Sequence, residues 1–330
     1  MPVQRDYFPA IQALRALAVL AIVWQHSVVF ACVAAGVNSA PYLKALNPGV
    51  ELFFCISGFV TGLNRHLPPA EFAFRRALRV YPGFWLACGI SLLVLPNAAL
   101  DLWAAALLPA TSATLNNSLQ IPYWTLIFAI VLYAMFTVAL STRIDDRLLS
   151  LVALGWIGCA HVAGAYFPDN LSAIAPGWLI FVSPFTQLFA FGLIACLNLD
   201  RLGAVPSHVL LSVAVAAIFV VTAVPMTPAG KSLFTGIGCM CIVLLAARAA
   251  YAPRWATRLG DASYGIYLLH MPVLVFLVDY LKGFSALTAW LIMASAALVI
   301  STAFGLAEHQ LHRLLTRLSL MRSTSYRHRY

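Results

Sequence analysis

Charged side chains interrupt this chain only at intervals. No Asp, Glu, Lys or Arg occurs in 16–43, 80–100, 102–142, 148–168, 170–199, 202–230, 232–247, 262–278 or 283–307. A helix crosses a hydrocarbon core of about 30 Å with roughly 20 mostly apolar residues, and most of these stretches suffice. A transmembrane barrel would instead alternate apolar and polar positions over strands of about 10 residues. Runs such as Leu210–Val224 do not alternate. The pattern predicts an all-α, polytopic helical bundle of about ten spans, at 10–33, 48–64, 82–97, 121–141, 148–167, 177–197, 208–225, 231–248, 262–281 and 286–306. The whole chain, 1–330, reads as one transmembrane domain. The longest loop, 98–120, carries Thr111–Thr114, Asn116–Ser118 and a short apolar piece, Leu102–Leu108, suited to lie along the interface. Glu308–Leu320 suits a helix on the inner surface, and 321–330 a loose basic tail.

Composition agrees with the pattern. Hydrophobic residues make up 62% and charged residues 9%, against about 25% charged in soluble domains. With 20 Phe and 8 Trp, disorder is excluded as well. The apolar run from Ala16 to about Ala35 exceeds a signal-peptide core of about 7–15 residues, so it reads as a retained first span. The seven cysteines are scattered through apolar surroundings, apart from Cys239 and Cys241. They read as buried, inert thiols, with neither a disulfide framework nor a metal site.

Charge sets the orientation. With the N-terminus inside, the inner segments hold Arg5, Arg65, Arg75, Arg76, Arg79, Arg143, Arg147, Arg201, Arg248, Arg254, Arg258, Arg313, Arg317, Arg322, Arg327 and Arg329. The outer loops hold Lys44, Lys231 and Lys282. That asymmetry puts both termini in the cytoplasm. The net charge of +9 then faces anionic headgroups. Split among short loops, it does not make a nucleic-acid surface.

Ionisable groups inside a bilayer are costly and so are functional candidates. The first span carries Arg15 and His26, which share one helix face about 16 Å apart along the axis. Snorkelling to the headgroups is the plainer role for Arg15, and packing for His26. Glu51 opens the second span near the outer surface, where an antiparallel partner brings it towards His26; a carboxylate there would orient the imidazole as a base. Glu51 is equally suited to flank the helix in the headgroups. Arg75, Arg76 and Arg79 fall on one helical side, and clustered guanidinium groups suit phosphate as well as an inner interface.

Taken in order, these pieces resemble a known family. Arg15 and His26, then GVELFFCISGF at 49–59, FRRALRVYP at 74–82 and LGDASYGIYLLHMP at 259–272 look like the membrane acyltransferases called acyltransferase 3. The resemblance implies transfer of an acetyl or similar acyl group from acetyl-CoA to a hydroxyl of a carbohydrate, glycolipid or related acceptor, without a metal, in a bacterial inner membrane. It makes His26 the essential histidine and Arg15 its partner. Arg76 and Arg79 become the cytoplasmic pair that, with Arg75, holds the phosphates. Glu51 stands where the family has an acid. Ser57, Trp124 and Tyr264 are candidates for contacting substrate and its oxyanion, and His270 is a further candidate at the substrate. One departure stands out: in Trp124–Tyr133, Ala129 occupies the position of the family's glutamate. Two other classes remain open, a transporter or exporter using the same spans, and a catalytically impaired homologue.

Overall fold

This computed structural model describes residues 7–39, 48–99, 102–109, 119, 121–166 and 177–327. Among the described residues there are helices, turns and no strand. Ten helices among the described residues are of fourteen residues or more: α1 Pro9–Ala34, α2 Pro48–Leu63, α3 Pro69–Val94, α4 Trp124–Ser141, α5 Asp146–Tyr166, α6 Pro184–Leu197, α7 Ser207–Ala223, α8 Pro228–Arg248, α9 Arg254–Val278 and α10 Ala286–Arg327. Proline starts several of them. Pro9, Pro69, Pro184 and Pro228 sit in first turns, where a missing N–H costs nothing. Just before them, Thr227 accepts from the Gly230 N–H at 3.2 Å and Ser183 from the Phe185 N–H at 3.4 Å, capping two otherwise orphaned starts.

These helices overlap the ten predicted segments, yet they are not equally long. Seven of them, α1, α3, α4, α5, α8, α9 and α10, are long and apolar enough to cross a membrane. The other three, α2, α6 and α7, have 16, 14 and 17 residues, about 21–26 Å at 1.5 Å per residue. For α6 the surroundings are protein rather than lipid, since every residue from Thr186 to Cys196 is buried.

Two boundaries move in a way that matters for the site. The third helix begins at Pro69, not near 82, so its arginine-bearing stem and its apolar span are one rod through Pro82. At the C-terminal end, α10 runs unbroken to Arg327. It absorbs the span, the expected surface helix and most of the expected loose tail; 328–330 lie outside the described residues. Once a helix is nucleated, each added residue gains a hydrogen bond, and nothing between Leu306 and Arg327 breaks it. Leu102–Leu108 contributes one helical turn, Leu102–Ala105, while the polar loop residues 111–118 are not among those described.

Close backbone contact holds the bundle together. α1 packs against α2, α8, α9 and α10, and α2 lies along α6. A Cβ on Gly58 would strike the carbonyl oxygen of Phe189, and one on Gly192 that of Cys55. Gly265 of α9 and Gly305 of α10 abut in the same manner. In lipid, where the hydrophobic effect does not drive helices together, such small-residue seams supply the van der Waals contact that does.

Candidate active site

A cavity of about 1000 Å³, its mouth included, opens between α1, α2, α3, α4 and α9. Its lining follows helical periodicity. From α2 come Val50, Phe53, Ser57 and Val60; from α4, Thr125, Ala129 and Tyr133, each one turn apart; from α9, Ser263, Tyr264 and Tyr267. Arg15 enters from α1, and Arg76 and Arg79 from the stem of α3. Three guanidinium groups thus meet at one end of an otherwise apolar and aromatic chamber.

Each guanidinium is held differently. Arg15 donates to the Gln12 side-chain oxygen at 3.2 Å. Arg76 lies 5.1 Å from the ring centres of both Phe72 and Tyr133 and donates to the Val60 carbonyl at 3.3 Å. Arg79 lies 4.8 Å from the Tyr264 ring and pairs with Glu308 of α10 at 2.7 Å. Stacking on aromatic faces leaves the edge of a guanidinium, with its fork of donors, free for an anion. Arg75 is set apart: it pairs with Glu71 at 2.5 Å on the exposed side of the stem and does not line the cavity.

A few hydroxyl groups are set into the apolar remainder. Ser57 and Tyr133 are 3.2 Å apart, and Thr125 and Tyr267 are 2.8 Å apart. Tyr264 donates its proton to the Val80 carbonyl at 2.6 Å. That bond removes it as an oxyanion donor and leaves it a wall and a platform for Arg79. Trp124 packs edge-on against Phe185 at 5.0 Å and against Phe128 at 6.2 Å, in an aromatic cluster behind the wall. Ala129 lies on the wall itself, and among the described residues no carboxylate lines the chamber.

His26 and His270 meet one helical turn beyond Tyr267 along α9, with His26 Nδ1 2.8 Å from His270 Nε2. Glu51 does not join them. It shares a stripe of α2 with Cys55, Gly58 and Gly62, the face that packs on α6. Its Oε2 is buried without a hydrogen-bond partner. A helix can show one side chain to only one neighbour, and Ser57, not Glu51, takes the cavity side. Sequence reasoning did not single out Glu308, Tyr133 or Tyr267. Of these Glu308 had a signal, being the only acidic residue after Asp279; it is 3% exposed, where a surface helix had been expected.

Comparison with known proteins bears on this geometry. The profile of a family described as an acyltransferase domain, acyltransferase 3, matches residues 8–306. The exopolysaccharide production protein ExoZ of Rhizobium meliloti (strain 1021) is 28% identical over 265 residues, which cover 67% of this chain and 74% of that protein. No solved structure matches.

Proposed function

Since the chain belongs to the acyltransferase 3 family and is an integral membrane protein, we propose that it moves an acetyl or similar acyl group from acyl-CoA to a hydroxyl of a saccharide or glycolipid at a bacterial inner membrane. The observation that carries this reading is the chamber with Arg15, Arg76 and Arg79 gathered at one end. Such an end suits the phosphates of a coenzyme A thioester, and the narrow apolar remainder suits its thioester arm. The similarity to a protein named for exopolysaccharide production supports a polysaccharide acceptor.

In this reading the thioester enters from the cytoplasm, anchors its phosphates on Arg76 and Arg79, and runs past Arg15 towards His26. Those two residues lie about 16 Å apart along α1. His26 takes the proton from the acceptor hydroxyl as its oxygen attacks the thioester carbonyl. The C–O bond forms, the C–S bond breaks, and the imidazolium returns the proton to the departing thiolate. Ser57 and Tyr133 supply hydroxyl donors along the path. Closure of the chamber around the arm excludes water, limiting hydrolysis. The acid-free wall at Ala129 supports one second reading, a homologue that binds the thioester but turns it over slowly.

The test uses purified protein in detergent. Coenzyme A and acetyl-CoA are expected to raise its melting temperature, and pantetheine, which lacks the nucleotide phosphates, is not. Arg76→Ala is expected to weaken coenzyme A binding several-fold by calorimetry, with added salt weakening the parent's binding too. Equal affinity in Arg76→Ala and parent would sink the phosphate assignment. Movement of a solute across vesicles without any coenzyme A effect would favour a transporter.

A further inference from the structure

The contact between His26 and His270 determines where their protons sit. His270 Nδ1 lies 3.2 Å from the carbonyl oxygen of Ile266 on its own helix. A carbonyl oxygen only accepts, so this nitrogen carries the hydrogen. The His270 ring is 0% exposed, and a second proton on it would bury an unpaired charge at considerable cost. Its Nε2 is therefore a bare lone pair. That lone pair faces His26 Nδ1 at 2.8 Å, so His26 Nδ1 must donate. The rings are parallel to within 1° with centres 5.1 Å apart. Each imidazole nitrogen lies a little over an ångström from its ring centre. The spacing is thus that of two rings meeting nitrogen to nitrogen in one plane, the best direction for the bond.

The proton order then runs from the Ile266 carbonyl through His270 to His26, and it ends on His26 Nε2. We propose that His270 is a positioning residue that holds His26 in the Nδ1–H form, leaving Nε2 as the acceptor for the substrate hydroxyl proton. This assignment rests on the acyl-transfer reading for what His26 does, but not for how its protons are arranged. A neutral imidazole is a fitting partner at this depth, because it fixes the tautomer without holding a charge in the bilayer. Among the described residues, the surroundings leave His270 as the one titratable partner of His26. On α9 the Tyr267 ring is 5.8 Å from His270, and its hydroxyl is occupied by Thr125 and the Pro122 carbonyl. On α10, Trp290 faces Trp24. On α2, the Glu51 carboxyl lies near Cys239 of α8. On α8, Cys239 and Cys241 sit in the separate cluster with Cys55. Beyond α9, Asp279 pairs with Lys282. Arg15 lies in the chamber below.

Two substitutions and one spectroscopic measurement test the proposal. His270→Gln keeps an acceptor oxygen near the place of Nε2, whereas His270→Leu fills the space without one. Acyl transfer is expected to fall tenfold or more in kcat in His270→Leu, less than the roughly 10²–10⁴-fold of losing a general base outright, with KM for the acyl-CoA nearly unchanged; His270→Gln should retain most of it. A packing histidine would give the reverse order, since leucine suits an apolar core and a glutamine amide does not. Nitrogen chemical shifts of 15N-histidine-labelled protein, with His26→Gln for assignment, should show His26 protonated on Nδ1 in the parent and in His270→Gln. An Nε2–H form of His26 in the parent overturns the proposal, even where a variant fails to fold. So do equal losses in the two His270 variants. The expected shifts without acyl transfer from any form would uphold the proton order and overturn its use in catalysis.

Discussion

Ala129 lies on the chamber wall one turn from Thr125 on one side and one turn from Tyr133 on the other. An alanine there keeps the helix packed and leaves room but no proton-carrying group. Ala129→Glu is expected to raise acyl transfer at least tenfold, about 1.4 kcal/mol in barrier, measured as thiol release from acetyl-CoA by the purified pair. No gain from a stably folded variant would mean that the chemistry does not need an acid at this place. A second residue-scale case is the Arg79–Glu308 pair, whose side chains are 21% and 2% exposed. Removing one partner of such a pair strands the other and costs about 3–5 kcal/mol when burial is complete. Arg79→Ala should therefore lower the melting temperature, and Arg79→Ala with Glu308→Ala should restore much of it. Glu308→Gln frees the Arg79 guanidinium for phosphate, so coenzyme A affinity should rise several-fold by calorimetry; no rise would show that the carboxylate does not compete with the ligand. The candidate residues on α1 and α3 were legible one by one, because a charge in an apolar run is conspicuous. Glu308 was not, since a lone acid in a basic stretch also fits a wet surface.

Between elements, the seam of α2 and α6 is the most exacting contact. Gly58 and Gly192 each face a backbone carbonyl that cannot retreat without moving its helix. Gly58→Leu should separate the pair and lower the yield of folded protein, whereas Gly89→Leu, where an added Cβ meets nothing within 4 Å, should not. Overpacking of this kind costs typically 1–3 kcal/mol or more, read here as a loss of monodisperse protein in gel filtration. Equal yields would show that the seam can yield. The existence of the helices was legible from apolar runs because hydrocarbon allows only helices or closed barrels to satisfy the backbone, and these runs do not alternate as barrel strands do. Their true lengths were less so. The polar stem of α3 and the basic end of α10 carry no apolar signal, and yet both continue a helix already formed.

At the scale of the whole molecule, the distribution of arginine and lysine predicts one orientation. Lys231→Cys and Lys282→Cys are expected to react with a membrane-impermeant maleimide from outside intact cells. Arg147→Cys and Arg258→Cys should react only after permeabilisation. Six of the seven native thiols are buried, and the exposed one is removed by Cys159→Ser in the labelling background. Labelling of Arg258→Cys in intact cells would invert the bundle, and with it the side from which an acyl-CoA could reach Arg76 and Arg79.

The sequence alone determined the class of molecule and the residues worth asking about, because hydrophobic length and isolated charges are local properties that no packing can reverse. It pointed to Arg15, His26, Arg76, Arg79 and Ala129 from position within runs and from family resemblance. Partnership was decided only in three dimensions. Periodicity says which residues share a face, but not which neighbour that face meets. So Glu51 came to lie near Cys239 of α8 instead of joining His26, Arg75 turned to Glu71 on the outside of the stem, Arg79 to Glu308 from 229 positions along the chain, and His26 to a histidine 244 positions away.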